Sequence, residues 1–291
     1  MEIDALATAV AAHWAGVSPS VGVVRPSERV VLFRAHKPIR LLPDVYDPVV
    51  CVVVQGKKEL ALGDETIELL PGDSLLVSHD TPVTAHITSA HLDAPYLSIV
   101  LLLDLELIRS LVEEVQDTLH PHGSSRSTVA QRADPQLIDA LRRYLALSKD
   151  PTERRVMEPL LLREIHFRAL MAPQAGMLRQ LLRPHSRASR ISRAITTIRR
   201  DFRTALAVVD LAREAGMSVS SFHKHFRDIT SNTPLQYQKE LRLMEARRML
   251  SVGEQAVTTV AFDVGYQSPN QFSREYLRKF GVSPSAHVGQ Q

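Results

Sequence analysis

LAREAGMSVSSFHKHFRDITSNTP (211–234) and VAFDVGYQSPNQFSREYLRKFGVSP (260–284) are one pattern written twice, fifty residues apart. At that offset Ser218 matches Ser268, Phe222 matches Phe272, Phe226 matches Tyr276 and Pro234 matches Pro284. Each copy reads as a short helix, a glycine (Gly216 or Gly265), a turn, a serine and a second helix. Glycine permits the positive φ of a tight helix–turn. A serine at the start of the next helix can accept from its free amides, and Pro269 suits a first helical position. This is the grammar of a tandem helix-turn-helix.

On a helical wheel with about 100° per residue, Val219 and Phe226 fall beside Phe222 and define a buried stripe. Ser220, His223, Lys224 and Arg227 lie on the opposite side. In the second copy Phe272 and Tyr276 mark the stripe, Asn270, Ser273 and Arg274 face away, and Gln271 flanks the helix start. Asn or Gln suits adenine, Arg or Lys suits guanine, and Ser suits either, so both outward faces carry groups that can read base edges. His223 and His225, one of two His-X-His pairs (the other, His120 and His122, lies in a predicted loop), lie about 200° apart on the wheel and cannot chelate one metal together. His225 falls on the flank of the stripe as a structural residue.

The connecting segment LQYQKELRLMEARRML (235–250) is a helix about 24 Å long. With its flanking turns it would separate two recognition helices by about one turn of DNA, ~34 Å, so that one chain could enter successive major grooves. Charge agrees with that role. From Arg187 onward there are 16 Lys and Arg against 9 Asp and Glu, a net of +7, whereas the preceding residues carry a net of −4. A basic module for a polyanion is thus joined to a mildly acidic module with another task.

That front module reads differently. From about residue 20 to 103, valine-rich runs such as VVCVVVQG (49–56), TIELL (66–70), PGDSLLVS (71–78) and APYLSIVLLL (94–103) alternate with Gly, Pro and Asp turns such as LGDE (62–65). Such spacing predicts a small all-β barrel or sandwich. Beyond Asp104 the period changes to 3.6, and 104–116, 134–147 and 156–171 are predicted helices; HPHGSSRS (120–127) is a predicted loop. The opening MEIDALATAVAAHW carries acidic residues where a secretory signal needs basic ones, and reads as an amphipathic helix. No apolar run approaches the ~20 residues of a membrane span. The single cysteine, Cys51, excludes an intramolecular disulfide and fits a reducing, cytoplasmic location. In VVCVVV it reads as a small core hydrophobe.

The tandem segment over about 187–287 closely resembles the DNA-binding region of AraC/XylS-type bacterial transcription regulators, and its second copy matches that family's signature. The resemblance implies sequence-specific binding to double-stranded DNA and contact with RNA polymerase. By position it implies base contacts from Ser220, Ser221, His223, Lys224, Asn270, Gln271, Ser273 and Arg274, with Arg227, Arg278 and Lys279 as phosphate candidates. The segment YDPVVCVVVQGKKELALGDETIELLPGDSLLVSHDTPVTAHIT (46–88) resembles the cupin-type N-terminal domain of one AraC subgroup. This implies sensing of a small-molecule effector, homodimerisation, or both, with Cys51, Val53, His79 and Tyr96 as candidate pocket residues.

A cupin fold also hosts metal enzymes, whose sites need several histidines and a carboxylate converging in the barrel. Here His79, His86 and His91 are spaced seven and five apart, and no His-X-His lies on a strand. Nucleophile-elbow, phosphate-loop and Cys-X-X-Cys patterns are missing too. The expectation is therefore a regulator, not an enzyme, with no metal and no cofactor. Its fold class is α+β multidomain: an N-terminal helix and cupin-like effector barrel (1–103), a helical linker and candidate dimerisation segment (104–185), and an all-α tandem helix-turn-helix domain (186–291). Leu105, Ile108, Leu111, Val112 and Val115 form an apolar stripe that serves either a dimer or its own barrel.

Overall fold

A computed structural model of the chain describes residues 2–15, 21–41, 43–62, 65–115, 128–147, 150–183, 186–253 and 255–288. The predicted loop at 120–127 lies almost wholly outside the described residues. Two compact units result: Met1–Leu42 with Tyr46–Ser189, and Arg190–Gln291 with Pro43–Val45.

The strands in chain order are β1 (Val21–Val24), β2 (Val30–Ala35), β3 (Ile39–Arg40), β4 (Asp44–Tyr46), β5 (Val49–Gln55), β6 (Lys57–Leu62), β7 (Glu65–Leu69), β8 (Asp73–Val77), β9 (Thr81–Ser89), β10 (Tyr96–Leu102) and β11 (Thr128–Arg132). The larger sheet runs β1-β2-β10-β5-β8-β11, and a second runs β3-β9-β6-β7. All these pairings are antiparallel. Of the expected barrel or sandwich, the described strands form two open sheets facing one another, without a closed barrel.

β5 shows why. Its sequence VVCVVVQ has no polar alternation, and its first six residues are buried. Val49, Cys51 and Val53 pack with Leu60, Leu62, Val83 and Ile87 of the facing sheet. Val50, Val52 and Val54 join a second core on the other side, built with helices. A sheet whose two faces are both apolar needs cover on both, which a barrel wall with a solvated outer face does not provide. Each such side chain contributes about 1.5–3 kcal/mol on burial.

The covering helices are α1 (Glu2–Ala11), α2 (Leu105–Val115), α3 (Pro135–Leu145), α4 (Pro151–Met171) and α5 (Gly176–Leu182). Asp134 and Asp150 start α3 and α4 by accepting amides of the first turn, with Pro135 and Pro151 at the following position. Leu6, Val10, Leu137, Leu141 and Ile165 all enter the core on the outer face of the larger sheet. The α2 stripe goes there as well: Ile108 and Leu111 are buried in it, and Leu105, Val112 and Val115 rest against it. At the start of α2 the Asp104 amide donates to His166 Nε2 at 2.9 Å, while His166 Nδ1 donates to the Leu162 carbonyl at 2.6 Å. Among the described residues no helix is long and apolar enough to cross a membrane.

The second unit is helical: α6 (Arg187–Arg200) leads into it, followed by α7 (Val208–Glu214), α8 (Val219–Thr230), α9 (Pro234–Val252), α10 (Val257–Asp263) and α11 (Pro269–Phe280). The α+β multidomain fold class expected from the sequence is the one observed, and the helices of the expected linker (104–185) pack into the core of the first unit.

Candidate nucleic-acid interface

Both repeats fold as the sequence pattern requires. Gly216 and Gly265 take φ of +61° and +94°. Ser218 and Ser268 then cap α8 and α11, accepting from the amides of Ser221 and Gln271. Phe222 and Phe226 are fully buried with rings 5.7 Å apart, and Phe272 and Tyr276 repeat the arrangement at 5.4 Å. Burial pushes the Tyr276 phenol up to about 12, and its hydroxyl meets His287 Nδ1 at 2.7 Å. The aromatic pair in each motif therefore fixes which face of the helix turns outward.

On α8, Ser220, Lys224 and Arg227 are exposed, while Ser221 and His223 are half-buried. On α11, Asn270, Gln271, Arg274 and Arg278 are exposed and Ser273 is half-buried. Gln271 is partly engaged, its Nε2 donating to Glu275 Oε1 at 3.3 Å. Two residues, Val219 and Lys279, depart from expectation, while His225 keeps its place on the flank. Val219, placed on the buried stripe, is 39% exposed, because the α8 core consists of Phe222, Phe226, Ile229 and Thr230. Lys279, a phosphate candidate, instead forms an ion pair with Glu240 of α9, its side chain only 16% exposed. His225 is half-buried, with Nδ1 3.8 Å from Asp228 Oδ2.

The two motifs are held by α9, a 19-residue helix that Thr233 caps and Gly253 ends in a left-handed turn. Sequence reasoning missed its inward polar residues. Arg242 donates from Nε to the Phe202 carbonyl and from Nη2 to the Thr204 carbonyl, both at 2.7 Å, and from Nη1 to the Gly265 carbonyl at 2.9 Å. Gln238 Nε2 donates to the same Phe202 and Thr204 carbonyls at 3.0 and 2.7 Å. One guanidinium fork thus ties the segment before the first motif to the turn of the second. The clue in the sequence is an Arg and a Gln four apart on the core side of a long helix. Beside the clamp lies an open groove of about 500 Å³ whose lining includes Arg203, Lys239, Gln267 and Gln271. The groove lies between the segment at 203–205, α9 and the second motif.

Of the residues expected to line an effector pocket, Cys51, Val53 and Tyr96 come together in the layer between the two sheets. His79 lies just beyond β8, buried, and burial pushes its imidazole down to about 3. Lys58, not singled out from the sequence, enters the same layer. In KKELAL it alternates with Leu60 and Leu62, and that period-two spacing is the signal that could have found it. Among the described residues no three His, Cys, Asp or Glu side chains converge as a metal site.

Comparison with known proteins agrees with this geometry. Residues 26–177 match the family described as AraC-type transcriptional regulator N-terminus, and residues 211–289 match a helix-turn-helix domain family. The chain is 27% identical over 154 residues to the HTH-type transcriptional activator RhaS of Escherichia coli O1:K1 / APEC, covering 53% of this chain and 55% of RhaS. It is 39% identical over 83 residues to the RCS-specific HTH-type transcriptional activator RclR of Escherichia coli (strain K12), covering 28% of this chain and 29% of RclR. The chain thus spans from under a third to about half the length of these curated relatives. The structure of ToxT from Vibrio cholerae shares the fold, with a TM-score of 0.56 at 14% identity over 89% of this chain and 97% of that one. A structure of unsaturated fatty acid bound ToxT gives the same TM-score at 13% identity, over 93% and 95% of the two chains.

Proposed function

The chain belongs to the AraC-type transcriptional regulators, and we propose that it occupies a promoter site with both helix-turn-helix motifs under the control of a small-molecule effector in its N-terminal unit. One observation carries this reading: two identically capped helices with polar, exposed faces are joined by a single rigid helix in one basic unit. α8 and α11 would enter successive major grooves. Ser220, Ser221, His223, Lys224, Asn270, Gln271, Ser273 and Arg274 would face base edges. Arg227 and Arg278 would hold phosphates, joined by Lys239 from the rim of the groove rather than by Lys279.

The family is one of regulators rather than enzymes. We place the protein in the cytoplasm, where its DNA and RNA polymerase are. We assign it activation, in keeping with the names of RhaS and RclR, and a homodimeric state. The effector role rests on the separate, two-layered N-terminal unit and on the fatty-acid complex of the similarly folded ToxT. Genome-wide mapping of bound sites, followed by footprinting of one promoter, tests the reading. Protection of two adjacent major grooves on one face of the duplex supports it, and uniform coating of DNA without preferred sites refutes it.

A further inference from the structure

Lys58 is 5% exposed, yet among the described residues no carboxylate pairs with it. Its Nζ donates to the Tyr46 hydroxyl at 3.0 Å and lies 5.2 Å from the centre of that ring. The ammonium has three donors, and one bond to a neutral phenol does not compensate a charge withdrawn from water. Close by, Tyr96 is 1% exposed, and Ser98 is the side chain that its hydroxyl approaches. Lys58, Tyr46, Tyr96 and Cys51 are near enough to shift one another's ionisation.

The negative charge that would satisfy Lys58 is not supplied by these neighbours. Burial pushes both the Cys51 thiol and the Tyr96 phenol above their ordinary ranges, so both are neutral near pH 7. Burial opposes the Lys58 charge, and the bond to the Tyr46 hydroxyl favours it. Apart from the buried Ser98 hydroxyl beside Cys51 and Tyr96, the layer around these groups is hydrocarbon: Val53, Leu60, Val83 and Ile87. The chemical complement of a buried ammonium among hydrocarbon side chains is an acceptor with a full negative charge and an apolar body.

We propose that the layer between the two sheets takes a small monocarboxylate, its carboxylate accepting from Lys58 Nζ and the Tyr96 hydroxyl and its apolar part lying among the valines and leucines. This rests on the effector reading above and names the chemical class of the effector. It also explains why an uncompensated cation is retained where a methionine would stabilise the ligand-free fold.

The test is thermal unfolding of the full chain with octanoate and, as its neutral counterpart, 1-octanol, combined with binding to the mapped promoter DNA. Octanoate should raise the unfolding midpoint of the N-terminal unit by several degrees, and 1-octanol should do so much less. Lys58→Met should raise the ligand-free midpoint and abolish the octanoate shift. Tyr96→Phe, the milder change, should fold normally and weaken octanoate binding by about tenfold, as expected for a lost bond to a charged group. An octanoate shift retained in Lys58→Met, an equal shift from 1-octanol, or no shift in the unaltered protein would overturn the proposal. The two layers of the argument separate in the DNA assay. Octanoate that binds through Lys58 without altering promoter occupancy removes the effector reading and leaves the site. Occupancy that answers to 1-octanol but not to octanoate keeps the effector reading and removes the carboxylate.

Discussion

Gly216 and Gly265 occupy equivalent places in the two repeats, yet their surroundings make them unequal. A Cβ at Gly265 would lie 2.1 Å from the Arg203 carbonyl oxygen, and one at Gly216 would lie 3.2 Å from the movable end of Arg190. Gly216→Ala should cost only the left-handed backbone strain, about 1–2 kcal/mol. Gly265→Ala must also displace main chain that Arg242 pins. We expect denaturant unfolding to show a modest loss for the first and collapse of the C-terminal transition for the second. Arg274 is predicted to act on DNA instead of on the fold. Arg274→Ala should cost about 1–3 kcal/mol at the native site and relax preference at one base pair, without moving the unfolding midpoint. Equal weakening on every sequence would make Arg274 a phosphate contact.

Among the elements, α2 and α4 meet at a titratable joint. His166 accepts the Asp104 amide on Nε2, which requires a neutral ring, and burial lowers its pKa, with Asp104 opposing and Arg29 assisting the shift. Because the folded value lies below the unfolded one of 6.5, the stabilisation is complete above that pH and is lost as the pH falls beneath it. His79, buried and pushed down to about 3, acts in the same direction. The melting midpoint of the N-terminal unit should therefore fall from pH 6.5 to pH 5, and His166→Gln should reduce that slope, His79 supplying the remainder. A slope unchanged in the variant would remove His166 from the account. In the other unit, α9 draws Lys279 out of the phosphate set. Its partner Glu240 lies 39 residues away in the chain, so spacing along α11 alone could not reveal the pair.

At the scale of the whole molecule, α9 sets the reach of the reader. A helix of 19 residues is about 28 Å long and cannot stretch. Inserting five base pairs between the two half-sites should turn one recognition helix away from its groove and reduce affinity to the non-specific level. A ten-base-pair insertion should fail to restore it, because the face is regained and the distance is not; gel-shift titration at fixed salt checks both. The repeat, its glycine turns, its serine caps and the two buried aromatics of each motif were legible in the chain itself, because capping, turn geometry and amphipathic period are local properties that a few neighbouring residues decide. The strands of the N-terminal unit were legible for the same reason. Tertiary structure alone decided that those strands form two open sheets, since an all-valine strand announces burial without naming what covers each face. It alone decided that Lys279 is spent on Glu240, that Arg242 clasps the second turn, and that Lys58, turned inward by its alternation with Leu60 and Leu62, meets no carboxylate among the described residues. Each of these depends on which distant segments the packed core brings together, and no local pattern encodes that distance.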